Sequence, residues 1–108
     1  MSLNRYAKKQ DANAKHLIEV FQAQGCTVEA VTGSKGTPDL LVGGWGITEL
    51  VEVKPAVGLK ARSQLRVSQE LWWSRWRGRK PVLVRTVADC LDLVARMRAA
   101  ATSSEVAS

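Results

Sequence analysis

Residues 36–54 read GTPDLLVGGWGITELVEVK, two apolar runs separated by glycines and one tryptophan. Such a tetrad supplies turn chemistry, and apolar runs on either side of it fold into an antiparallel hairpin. No other feature constrains the fold as much, because a hairpin decides which side chains share a face. With the turn read near Gly44-Trp45, Asp39 is expected close to opposite Glu52, or opposite Val51 if the loop slips by one. Alternation puts Glu52 and Lys54 on one face, and Asp39 joins them in the first register. Leu40, Val42, Val51 and Val53 then point the other way, toward a core. Pro38 cannot donate to a ladder and belongs at its strand's start.

The flanking sequence supplies the other elements. Ala14, Leu17, Ile18 and Phe21 recur at helical spacing, with Asp11 as N-cap and Gly25 as stop. Residues 26–31 alternate as a short strand. Residues 63–77 read as a helix ending at Gly78, 81–85 as a strand, and 87–99 as a last helix with Asp89 in its first turn. The order αβββαβα predicts an α/β domain, a mixed four-stranded sheet flanked by helices. A chain of 108 residues is one domain of ordinary size. That domain is expected over 11–100, with a basic, frayed segment at 1–10 and a frayed tail at 101–108.

Charge and cysteine content narrow the function classes. A formal net charge of +6 favours an anionic partner: nucleic acid, an acidic protein or a membrane surface. Cys26 and Cys90 have neither the spacing of a zinc site nor that of a disulfide framework, so they read as reduced thiols. No segment has the apolar run of a signal peptide or membrane span. The expected setting is cytoplasmic, with no membrane partner.

Asp39, Glu52 and Lys54 admit two readings. Exposed, they form a salt-bridge cluster worth about 0–1 kcal/mol per pair. Crowded together, two carboxylates repel unless a cation lies between them. A hard divalent ion such as Mg²⁺ suits carboxylate oxygens. It could activate water for attack on phosphorus, with the Lys54 ammonium holding that water or the developing charge.

Pro38-Asp39 followed by Glu52-Val53-Lys54 resembles the signature of the PD-(D/E)XK nuclease superfamily. Asp11-Ala-Asn13, Gly36-Thr-Pro38-Asp39-Leu40, Ser68-Gln69 and Val82-Leu-Val-Arg85-Thr86 stand in the same order as in small stand-alone VRR-NUC-type nucleases of phages and bacteria. The likeness covers about 11–94. It implies a restriction-endonuclease-like core and hydrolysis of DNA phosphodiesters, at branched, flap or four-way-junction structures. It implies Asp39, Glu52 and the Val53 carbonyl as ligands of Mg²⁺ or Mn²⁺, Lys54 as catalytic lysine, and Gln69 reaching into the same site. It also implies pairing as a symmetric homodimer. Gln69 has independent support, because Leu65, Gln69, Trp72 and Trp76 form one inward helical stripe. A strand carbonyl is its alternative partner.

One position departs from the family pattern. Relatives carry a glutamate after the asparagine, where this chain has Ala14. The alternative to an enzyme is therefore a catalytically silent nucleic-acid-binding or assembly module on the same fold. His16 reads as a solvated helix residue. Lys60, Arg62, Arg66, Arg77, Arg79 and Lys80 are the candidate phosphate contacts. Trp72 and Trp76 read as core, Trp73 as an edge residue, and Trp45 as an exposed hairpin tip available to a partner.

Overall fold

A computed structural model of the protein describes residues 2–55 and 65–107. Lys60, Arg62 and the expected start of the second helix at Ser63 lie outside the described residues. Within them the chain is mixed α/β: α1 (Ser2–Ala23), β1 (Thr27–Ala30), β2 (Leu40–Gly44), β3 (Ile47–Val53), α2 (Val67–Arg75), β4 (Val82–Val84) and α3 (Val87–Ala107). The strands form one sheet in the order β1-β2-β3-β4. Neighbours are antiparallel except β3 and β4, which run parallel.

The hairpin turns one residue later than the sequence suggested. Gly44 pairs with Ile47, leaving Trp45 and Gly46 as a two-residue loop. Both have positive φ, 54° and 76°, the pattern of a type I′ turn. Trp45 stands at this turn and is 38% exposed, as expected. Its ring lies beside Gly25 and under the Arg98 guanidinium, 4.8 Å from the ring centroid, while Arg98 Nη2 donates to the Gln24 carbonyl. The turn is thereby tied to the end of α1 and to α3.

That end of α1 is closed by Gly25 at φ +99°. Its N–H donates to Gln22 O and the Cys26 N–H to Phe21 O, the bond pair of a Schellman motif. At the other end α1 already begins at Ser2, so Asp11 lies inside the helix and does not cap it. Helix α3 likewise runs on to Ala107. Most of both terminal stretches expected to fray is thus helical.

Leu17 and Phe21 of α1 and Cys90, Leu93, Val94 and Met97 of α3 bury against Leu40, Val42, Val51 and Val84. Both cysteines are free thiols inside this layer, and burial pushes Cys90 up to about 12. Helix α2 crosses the opposite face, where Trp72 lines a hollow together with Leu41, Thr48 and Leu50. It is shorter than the sequence pattern because Trp76 leaves helical geometry at φ −66°, ψ 121°. Trp72 is buried, but Trp76 is 41% exposed and only stacks on it, centroids 4.7 Å apart, so Trp76 is not a core residue. Leu65 precedes the helix and is not part of its stripe. No described helix is long and apolar enough to cross a membrane.

Helix α3 starts in a capping box. Thr86 Oγ1 accepts from the Asp89 N–H, and Asp89 Oδ2 accepts from the Arg85 and Thr86 N–H groups. These bonds hold the Asp89 carboxyl below its ordinary range. A carboxylate lowered in this way contributes stability that is complete above its unfolded pKa and is lost as the pH falls through the folded one. Asp89→Ala is expected to cost about 1 kcal/mol in urea unfolding at pH 7. The cost should shrink once the pH drops below about 4, the ordinary Asp value; a pH-independent difference would contradict the cap assignment.

Candidate metal and active centre

The register that aligns Leu40 with Val51 carries Asp39 to the level of Glu52, just beyond the last paired residue of β2. Period-two alternation then sets Asp39, Glu52 and Lys54 on the α2 side of the sheet. They are not a solvated cluster. Asp39, Glu52, Lys54 and Gln69 are 5%, 3%, 7% and 3% exposed. An exposed salt-bridge reading therefore fails, and each charge must be compensated inside the protein.

Gln69 supplies much of that compensation. Its Oε1 accepts from Lys54 Nζ at 2.9 Å and from the Arg66 N–H at 2.8 Å. Its Nε2 donates to Glu52 Oε2 at 2.7 Å. The amide thus reaches its neighbours' side chains, not a strand carbonyl, while also tying down the first turn of α2. Lys54 Nζ lies 3.7 Å from the same Glu52 oxygen. Asp39 Oδ2 accepts the Val53 N–H at 2.9 Å, which turns its carboxylate toward β3.

The backbone around the centre is fixed from both sides of the sheet. The Lys54 N–H donates to Val84 O, continuing the parallel ladder. Asn13 Nδ2 donates to the Lys54 and Arg85 carbonyls at 3.1 and 3.3 Å. Asn13 belonged to the sequence resemblance but not to the candidate site. Its polarity next to the apolar stripe of α1 is the signal that could have singled it out.

Glycine at position 36 sets how closely α2 approaches. Gly36 has φ +93°, and a Cβ there would overlap the Ser68 carbonyl and crowd Trp72 Cβ. Backbone cannot yield as a side-chain tip can, so the loop and the first turn of α2 touch only with glycine here. Gly36→Ala should displace α2 and with it Gln69. We expect a loss of about 1–3 kcal/mol in denaturant unfolding, larger than for Gly46→Ala, whose Cβ would meet nothing. Equal losses would show that the close approach is unimportant.

One oxygen of the Glu52 carboxylate is left without a donor: Oε1 is buried with no hydrogen-bond partner. Glu52 is raised to about 8, first by burial and next by the Asp39 charge, with Lys54 and Gln69 pulling the other way. A buried oxygen lacking a donor, beside a second carboxylate, fits a divalent cation. Asp39 and Glu52 would hold it; no cluster of three acidic, His or Cys side chains exists among the described residues. The raised value also sets a sign. The protonated carboxyl favours the folded state, an advantage complete below about 4.5 and lost as the pH rises through about 8. In EDTA, unfolding midpoints should therefore fall across that window, and Glu52→Gln should flatten the slope. Mg²⁺ or Mn²⁺ should raise the midpoint more at pH 8 than at pH 5. A slope unchanged in Glu52→Gln would refute the assignment.

The remaining candidates are scattered. Arg66 lines a cleft with Asp39 and Gln69. Arg77, Arg79 and Lys80 precede β4, which enters the sheet from the end where β3 begins, away from Lys54. Arg79 pairs at 2.9 Å with Glu49, a 3% exposed residue about 10 Å along the strand from Glu52. Lys80 donates to the Trp73 and Trp76 carbonyls, capping the end of α2. Neither cation is brought to the centre. Buried Glu49 escaped the sequence reading; its odd position in β3, with Val51 and not Glu52, was the available sign that it serves another face. Ala14 is buried on α1, and His16 is exposed.

Comparison with protein-family models, with curated proteins and with solved structures finds no match in any of the three.

Proposed function

We propose that this chain is a divalent-metal-dependent nuclease that hydrolyses DNA phosphodiester bonds on a restriction-endonuclease-like core. One observation carries the reading: the donor-less Glu52 Oε1 beside Asp39, with the buried Lys54 ammonium held in the same network. The resemblance of Pro38-Asp39 and Glu52-Val53-Lys54 to the PD-(D/E)XK signature agrees with it.

Hydrolysis forms one bond from a water oxygen to phosphorus and breaks one to the departing sugar oxygen, leaving a phosphate monoester and a hydroxyl. Asp39, Glu52 and, by the resemblance, the Val53 carbonyl would hold Mg²⁺ or Mn²⁺. Once bound, that ion supplies a Lewis acid for the phosphoryl oxygen and lowers the pKa of a bound water. Lys54 spends one N–H on Gln69 and has others for the attacking water or the charge growing on the phosphoryl oxygens. Gln69 keeps the Lys54 ammonium from collapsing onto Glu52. Burial of all four groups strengthens each of these interactions relative to water.

A second reading rests on Ala14, buried where the family that the chain resembles carries a glutamate, and on the small number of acidic ligands among the described residues. In it the fold binds nucleic acid or assembles with partners, without cutting. Labelled single strand, duplex, flap and four-way junction DNA, each with Mg²⁺, Mn²⁺ or EDTA, distinguish the two. The nuclease reading predicts metal-dependent cleavage that falls at least about a hundredfold in Asp39→Ala and Lys54→Ala, the scale of losing one charge-stabilising group. Binding without cleavage on every substrate, with cutting gained in Ala14→Glu, would favour the silent module.

A further inference from the structure

We infer that the cleft between the 32–37 loop and the start of α2 takes one unpaired nucleotide of the substrate strand, with Lys35 and Arg66 holding its phosphate from the two walls. The inference rests on the nuclease reading and names the form of substrate that the centre would receive.

The cleft is about 380 Å³ in volume and has Asp39 and Gln69 in its lining. That is the size of a small-ligand site. A volume of this size matches a single nucleotide better than a base pair with both its backbones. One wall is the loop with Thr32, Ser34 and Lys35; the other is Arg66, immediately before α2. Lys35 and Arg66 are both exposed, and neither side chain is in an ion pair among the described residues. They differ in this from Arg79 and Lys80, which are engaged at the far end of the sheet.

The loop wall is preformed. The Thr37 N–H and hydroxyl both donate to the Ser34 carbonyl, at 3.1 and 2.6 Å. The Val31 N–H donates to Asp39 O at 2.9 Å, anchoring the loop beside the centre. Gly36 abuts Ser68, which fixes the loop against α2. Lys35 therefore stands on a wall that needs little ordering when a ligand enters, and ligand binding is correspondingly less costly in entropy. A point-charge ammonium and a forked guanidinium facing one cleft form a phosphate clamp. A preformed cleft of this volume favours single strands, frayed ends or flaps over continuous duplex.

The test is equilibrium binding of labelled oligothymidylate and of a duplex of equal length, in EDTA so that nothing is cut. Thymidine 5′-monophosphate and inorganic phosphate serve as competitors. The single strand should bind more tightly than the duplex, and thymidine monophosphate should compete better than phosphate. Lys35→Ala/Arg66→Ala should weaken single-strand binding at least tenfold. It should also reduce the slope of log K against log salt by about 0.7 for each phosphate that is no longer neutralised. Arg96→Ala, on α3 across the sheet, should change little. Preference for duplex, wild-type binding by the double variant, an equal loss in Arg96→Ala, or competition by phosphate as strong as by the nucleotide would each overturn the inference. Failure of the nuclease reading looks different: the binding pattern holds, but no metal-dependent cleavage occurs or Asp39→Ala cuts normally.

Discussion

The Gln69 side-chain amide is the group that holds the architecture of the centre together. It is neutral, yet it offers an acceptor to Lys54 and to the Arg66 N–H and a donor to Glu52. A buried lysine and a buried glutamate 3.7 Å apart would otherwise carry a desolvation cost that their attraction alone does not reliably offset. Because Gln69 sits in the first turn of α2, satisfying those charges and docking the helix are one event. Helix placement, charge burial and chemistry are therefore coupled through a single group.

The sheet segregates its polar and apolar duties by strand parity and by end. On one side α1 and α3 cover a continuous aliphatic layer. On the other, the end bearing Asp39, Glu52 and Lys54 is polar and covered by α2, whereas Leu41, Thr48 and Leu50 face Trp72 and Trp76. Asn13 links the two sides by reaching from α1 to the carbonyls where β3 and β4 end. The helix of the apolar layer thus helps hold the backbone that presents Lys54.

Not every charge in the centre is at rest. Asp39 and Glu52 repel, and one Glu52 oxygen finds no donor. Groups perturbed by burial and by a like charge are costly to the fold, and they cluster where a cation or substrate is to be bound. A purely structural polar network would be expected to satisfy its members. This one satisfies Lys54 and half of Glu52, and leaves the other Glu52 oxygen without a donor.

The element order, the hairpin and the shared face of Asp39, Glu52 and Lys54 were all legible in the amino-acid sequence. Those follow from local rules: glycine turn chemistry, period-two alternation and helical spacing. Gln69 was legible too, as a polar residue on an otherwise apolar stripe. That these charges are buried was not, since burial depends on how closely α2 is allowed to approach, which Gly36 governs through Ser68. Nor was it legible that Arg79 and Lys80 serve Glu49 and the end of α2, not the centre. Both are carried away from the centre by the parallel crossover into β4. The destination of a long, flexible cation is fixed by whichever carboxylate or carbonyl lies within its reach after folding, and composition carries no record of that distance.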